Sequence, residues 1–223
     1  MKPARLAILA ALLVPADAVA TPTLVPLKPC YVSAGVDPRT GETLSEEVAL
    51  TGSGFTPGAD VNLLVDGTTA GRAVADGTGA FAATVKSPLQ ERGEREFIVT
   101  ATDPAQPAAG ASSRISALRV AVTPLRARPT QRVTFRGRGF TRSTPIYAHY
   151  ARRGKVRRTV RLADAPKGPC GTFRTRRRQF PIKRPQSGLW TLRIDQEPRF
   201  RARPRTAFVD LEVFVKRVLR FRD

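Results

Sequence analysis

The sequence predicts an all-β chain: two tandem β-sandwich domains behind an N-terminal export signal. Three observations carry this. Apolar and polar residues alternate with a period of two along many short stretches. The chain repeats itself once. Its first twenty residues have the layout of a cleavable leader. The length of 223 residues suits two domains of roughly 100 residues each, and 41% hydrophobic content with 11 Phe argues against disorder.

The alternation is clearest in Val61-Leu63-Val65, Phe97-Val99-Ala101, Trp190-Leu192-Ile194 and Val209-Leu211-Val213-Val215. Such stretches read as half-buried strands. Turn signals fall between them: Thr56-Pro57-Gly58, Asp66-Gly67, Asp76-Gly77 and Pro185-Gln186-Ser187-Gly188. No helical period runs through residues 21–223. Strands every 8 to 15 residues with Gly/Pro turns indicate sandwiches.

The repeat is explicit in Val48-Ala49-Leu50-Thr51-Gly52-Ser53-Gly54-Phe55-Thr56, which answers Val133-Thr134-Phe135-Arg136-Gly137-Arg138-Gly139-Phe140-Thr141 at an offset of 85. Gly79-Ala80-Phe81 answers Gly171-Thr172-Phe173 at 92. Phe97 to Ala101 answers Trp190 to Ile194 at 93. Two copies of this length are a domain pair and not a solenoid. The expected division is 1–20 signal peptide, 21–124 first domain and 125–223 second domain. Ile115 to Val122 closes the first domain in this reading, and Asp103 to Ser113 is a loop before that closing strand. The counterpart loop in the second domain is Gln196 to Arg205. In each copy the two glycines let a strand bend so that the following Phe turns inward.

In Met1 to Ala20, Lys2 and Arg5 precede nine apolar residues, Leu6 to Val14. Small residues at Ala18 and Ala20 suit cleavage after Ala20. Nine residues of helix span about 14 Å, against about 30 Å of bilayer core, so the run is a leader and not an anchor. No later stretch is long and apolar enough for a transmembrane segment, and a secreted or envelope-associated protein is expected. In an oxidising compartment the two cysteines, Cys30 and Cys170, favour a disulfide over two buried thiols. Such a bridge would join the two domains.

Charge divides the chain. The formal net charge is +20. Residues 21–124 carry 8 basic and 11 acidic side chains, whereas residues 125–223 carry 28 basic and 6 acidic, with 24 of the 28 being Arg. Codon bias acts on both halves alike and does not explain the split. A single-sign domain repels itself, so an anionic partner is expected. Candidates are an anionic cell-envelope polymer or an acidic protein, with nucleic acid a less favoured ligand; arginine suits bidentate contact with phosphate or carboxylate. With Phe173 inward, Arg174, Arg176 and Arg178 share an outer face. Phe180 then has the wrong parity, which predicts a bulge among Arg176 to Gln179. The same parity argument turns Arg157, Arg161, Arg193, Tyr147 and His149 outward, with Tyr147 and His149 placed to stack on sugars or bases.

Enzyme signatures are missing. His149 is the one histidine, which rules out His-Glu-x-x-His, and no Gly-x-Ser-x-Gly elbow surrounds a serine. No P-loop or calcium loop is present. No catalytic residue, metal site or cofactor is predicted. The rival to a polyanion-binding module is a structural or adhesive component that contacts other proteins through its sandwich edges.

The stretch Leu50-Thr51-Gly52-Ser53-Gly54-Phe55-Thr56-Pro57-Gly58-Ala59-Asp60-Val61 resembles the immunoglobulin-like domains of the IPT/TIG and bacterial Ig-like groups, which carry a G-x-G-F-x-P-G-x-x-V signature. The second copy keeps Gly137, Gly139, Phe140 and Thr141 and departs at Arg142-Ser143-Thr144-Pro145. The whole is similar to secreted proteins of high-GC bacteria. The resemblance implies a seven-stranded or similar sandwich, an extracellular place, and service as a spacer or binding module rather than a catalyst.

Overall fold

The computed structural model describes residues 21–36 and 43–216; the leader expected at 1–20 lies outside the described residues. The first half carries nine strands: β1 (Thr23–Leu24), β2 (Cys30–Val36), β3 (Thr43–Ser45), β4 (Glu47–Ser53), β5 (Asp60–Val65), β6 (Thr68–Val74), β7 (Phe81–Lys86), β8 (Glu94–Thr102) and β9 (Ala109–Ala117). The second carries seven: β10 (Arg119–Thr123), β11 (Arg132–Arg138), β12 (Ile146–Arg152), β13 (Lys155–Ala163), β14 (Phe173–Arg178), β15 (Gly188–Asp195) and β16 (Val209–Val215). No helix occurs among the described residues, so none there is long and apolar enough to cross a membrane.

The strands form immunoglobulin-like sandwiches, built twice on one plan. In the first half a three-stranded sheet, β1-β4-β7, faces a larger one, β3-β2-β9-β8-β5-β6. In the second half β10-β11-β14 faces β13-β12-β15-β16. The four strands β6-β5-β8-β9 correspond in order to β13-β12-β15-β16; β2 and β3 extend the first sandwich only, with β2 running parallel to β9. Period-two alternation builds each core. Val48, Leu50, Phe81 and Val85 meet Val61, Leu63, Phe97 and Val99 in one cluster. Val133, Phe135 and Phe173 meet Ile146, Tyr150, Trp190 and Leu192 in another.

The two-glycine motif is an identical device in both copies. Gly52 faces Phe81 across the β4–β7 ladder, and Gly137 faces Phe173 across β11–β14. A Cβ at either glycine would collide with the opposite ring. The Phe that ends each motif then packs edge-on against that ring: Phe55 on Phe81 at 5.2 Å between centroids, Phe140 on Phe173 at 5.4 Å. Its amide donates to a third glycine, Phe55 to the Gly79 carbonyl at 3.0 Å and Phe140 to the Gly171 carbonyl at 3.2 Å. Gly79 and Gly171 sit at φ +78° and +60°, a left-handed conformation that disfavours a side chain. The glycines are packing and turn chemistry, not a ligand loop.

Two sequence expectations require correction. Ile115 to Val122 is not one closing strand. The chain changes sandwich at Leu118: Ile115 to Ala117 pair with β8 or β2, and Arg119 to Thr123 pair with β11. The ladder switch therefore falls six residues before the expected 124/125 boundary. The inward positions change parity at the switch, from Ile115 and Ala117 to Val120 and Val122, so a break in the alternation marks it. Nor does β14 contain a bulge. Its ladder with β11 runs from Gly137↔Phe173 to Arg132↔Arg178 without a register shift. Gln179 still keeps that register, its amide donating to the Gln131 carbonyl, and the one-residue slip that returns Phe180 to the core comes at the next step, where the Phe180 amide donates to the Pro129 carbonyl.

Cys30 opens β2 and Cys170 precedes β14. Their sulfurs are bonded, with Cα atoms 5.2 Å apart, and both residues are buried. The bridge spans 140 residues of chain and ties the first half to a hairpin of the second, Lys167 to Thr172, closed by reciprocal backbone bonds of 2.8 Å.

Candidate functional site

The sheet β10-β11-β14 concentrates the cations. Its inner face carries Val120, Val133, Phe135 and Phe173 in the core. Period two turns the alternate residues out. These are Arg119 on β10, Arg132, Arg136 and Arg138 on β11, and Arg174, Arg176 and Arg178 on β14, all exposed. Register places them in rows: Arg119 opposite Arg138, Arg136 opposite Arg174, and Arg132 opposite Arg178. The other outward positions on these strands are Ala121, Thr123 and Thr134. No carboxylate faces these arginines from the sheet, and none of the seven has an ion-pair partner among the described residues. Along a strand the outward residues recur at about 7 Å, and from Arg138 to Arg132 the stripe runs about 20 Å.

The other copy provides an internal comparison. The outward positions of β4 matching Arg132, Thr134, Arg136 and Arg138 are Glu47, Ala49, Thr51 and Ser53; those of β7 matching Arg174, Arg176 and Arg178 are Ala82, Thr84 and Lys86. The ladders have the same register, so the Glu47↔Lys86 pair of the first copy is Arg132↔Arg178 in the second. Opposite charges across a ladder stabilise it and like charges destabilise it, each by a few tenths of a kcal/mol up to about 1. The fold does not require these arginines; the first copy folds the same way without them.

The sequence-predicted site is split between two faces. Arg174, Arg176 and Arg178 lie on the arginine sheet. Arg157 and Arg161 are exposed on β13, the edge of the opposite sheet. Arg157 falls at an irregularity in the β12–β13 ladder, and Arg161 stands opposite Tyr147 and pairs with Asp164 at 2.7 Å. Tyr147 is half-buried.

His149 and Arg193 are not available as expected. His149 has the outward parity, but residues 196–208 fold back over that face. His149 is fully buried. Its Nδ1 meets the Thr159 hydroxyl at 2.9 Å, and its Nε2 lies 3.1 Å from Asp195 and 3.2 Å from the Glu197 carbonyl. Phe200 packs edge-on against the ring at 5.7 Å. Arg193 holds the covering segment down: it pairs with Asp210, donates to the Arg201 carbonyl at 2.9 Å, and lies over the rings of Phe200 and Phe208. The Asp210 hydrogen bonds hold its guanidinium above the usual arginine range. The row Thr159–His149–Asp195 places hydroxyl, imidazole and carboxylate in series, but the imidazole and carboxylate are sealed from solvent. It works as a buried polar latch.

Four arginines of the sheet escaped the sequence reading. Arg132, Arg136 and Arg138 were legible by the parity used for β14, since Val133 and Phe135 face inward. Arg119 was hidden by the assignment of its strand to the first domain.

Solved structures similar to this chain include a tetra-tandem repeat in the extending region of a large adhesion protein, at 14% identity over 88% of this chain and 50% of that one, with TM-score 0.29. A Ca2+-stabilized adhesin with which an Antarctic bacterium binds ice has 14% identity over 87% and 47%, with TM-score 0.34. The human OSCAR ligand-binding domain has 12% identity over 87% and 98%, with TM-score 0.31. The chain spans about half the length of the first two. No family model and no curated protein matches the sequence. The functional reading therefore rests on the chain's own side chains.

Proposed function

We propose that this is an exported, non-enzymatic binding protein of the IPT/TIG-like kind whose second domain holds an anionic polymer on the outer face of β10-β11-β14. Leader cleavage after Ala20, a place outside the cell or in its envelope, and a two-domain organisation hinging at Leu118 belong to this reading. One observation carries it: seven exposed arginines without carboxylate partners among the described residues occupy positions that the duplicated sheet fills mainly with neutral residues and one Glu/Lys pair. Cations kept where the fold does not need them, at a cost in self-repulsion, call for a negative ligand. A stripe with about 7 Å between cations along each strand suits an extended chain bearing one phosphodiester or carboxylate per repeating unit. Guanidinium groups favour bidentate contact with such groups.

The test exchanges one copy's face for the other's. Arg132→Glu, Arg136→Thr and Arg138→Ser on β11, with Arg174→Ala, Arg176→Thr and Arg178→Lys on β14, recreate the face of the first sandwich. Retention of the full chain on immobilised long-chain polyphosphate is then followed against salt. Wild type is expected to elute with rising salt and the exchanged chain to pass through. Equal retention of both defeats the reading. In a pull-down from envelope extract, capture of a protein that survives high salt would favour the rival, an apolar contact with another protein.

A further inference from the structure

Resting on that reading, we infer that the arginine sheet ends in a cleft for a compact oligophosphate, which shares Arg119, Arg136, Arg138 and Arg174 with the open face and adds Lys167 and Arg177. The cleft has a volume of about 860 Å³ and wraps the β14 edge between the sheet and the 163–167 segment. Its size is that of a small-ligand site.

Strands β10, β11 and β14, the end of β13 with the segment that follows it, and Gly93 of the first sandwich supply its walls. Arg119 and Arg138 stand on one row of the sheet and Arg136 and Arg174 on the next. Ala121, opposite Arg136, leaves space beside that guanidinium. Lys167 enters from the disulfide hairpin, and Arg177 from the far side of β14. Arg177 is fixed there by its Nε, which donates to the Leu162 carbonyl at 3.2 Å, leaving its terminal amino groups free of hydrogen-bond partners among the described residues. The first sandwich contributes the Gly93 backbone, where an added Cβ would sit 3.8 Å from Arg138 Nη1.

Charge selects the ligand. Six cations line the cleft with one carboxylate, Asp164, and that carboxylate is engaged by Arg161 at 2.7 Å. A monocarboxylate would leave most of this charge uncompensated. A group carrying several negative charges within a few ångströms would neutralise it, and chained phosphates present two non-bridging oxygens on each internal unit and three on each end to donors of this geometry. The hydroxyl-bearing Thr172 and Thr175 also border the cleft. A free oligophosphate and the phosphorylated end of a longer chain offer the same chemistry. The Cys30–Cys170 bridge anchors the hairpin that bears Lys167, so the wall is fixed to the first sandwich covalently.

Titration of the full oxidised chain with tripolyphosphate in a calorimeter tests the cleft. Saturable binding at one equivalent is expected. Lys167→Ser with Arg119→Ser, both exposed positions, should raise Kd at least fivefold. Arg132→Ser with Arg178→Ser, outside the cleft, should shift it less than twofold while weakening retention on long-chain polyphosphate. Failure to saturate at one equivalent, or equal loss from both variants, overturns the cleft and leaves the open-face reading to its own retention assay. Occupation by a chain end shows as displacement of a bound long chain by tripolyphosphate at one equivalent; occupation by the free anion shows as simultaneous binding of both.

Discussion

Arg132 shows how one side chain separates stability from function. It faces Arg178 across the ladder, where the first copy sets Glu47 against Lys86. Arg132→Glu restores an opposite-charge pair and should stabilise the fold by about 0.5 kcal/mol, read as a higher denaturation midpoint, while weakening polyphosphate retention. A loss of stability would contradict the role assigned to that row. Gly137 makes the opposite case, that of a residue needed for packing alone. Gly137→Ala pushes a methyl into the Phe173 ring and should cost about 1–3 kcal/mol by urea unfolding. Asp76 gives the pH dependence its sign. The Thr78 hydroxyl, then the Ala80 and Thr78 amides, hold its carboxyl below the usual 3.8. The turn it caps is therefore stabilised above that value and loses the contribution as pH falls through the depressed folded pKa. Asp76→Asn should flatten this part of the acid limb of a stability–pH curve; an unchanged limb would show that the turn contributes nothing.

Strands were legible in the sequence where one face meets a core. Phe173 inward implies Arg174 outward, and the same parity holds along β4, β5, β11 and β15. Legibility ended where a strand's outer face is itself covered. His149 obeys the alternation and is still buried, because residues 196–208 return across β12 and β15; nothing in a period of two announces a segment that folds back. At Leu118 the signal was present but brief: the inward positions pass from Ile115 and Ala117 to Val120 and Val122, a one-residue break in parity where the ladder partner changes. The covering segment depends on Arg193, which joins Asp210, Phe200, Phe208 and the Arg201 carbonyl. Arg193→Ala should free residues 196–208, raising their amide exchange at least tenfold and exposing them to trypsin at Arg199 and Arg201. Protection equal to wild type would assign the cover to Gln196, which hydrogen-bonds the Thr144 carbonyl at 3.0 Å.

The two sandwiches share a plan and differ in charge. Assigning Arg119 to the second, as its ladder requires, sharpens the electrostatic contrast. The disulfide then joins a near-neutral unit to a strongly basic one. In the chain-entropy account a loop of 140 residues contributes about 5 kcal/mol. The pair Cys30→Ser and Cys170→Ser should lower the denaturation midpoint and weaken tripolyphosphate binding more than retention on long-chain polyphosphate, because the hairpin carrying Lys167 loses its tether. The measurement that bears most directly on the basic face is the salt dependence of polyphosphate affinity, wild type against the chain whose β11 and β14 arginines are exchanged for their counterparts on β4 and β7. Seven contacts to a flexible polyanion predict a slope of log K against log salt of about −5, falling to about −1 after the exchange, since of the seven positions only Arg119 and the lysine placed at 178 still carry positive charge. Equal slopes for the two chains, or affinity indifferent to salt, would contradict a polyanion site on this sheet.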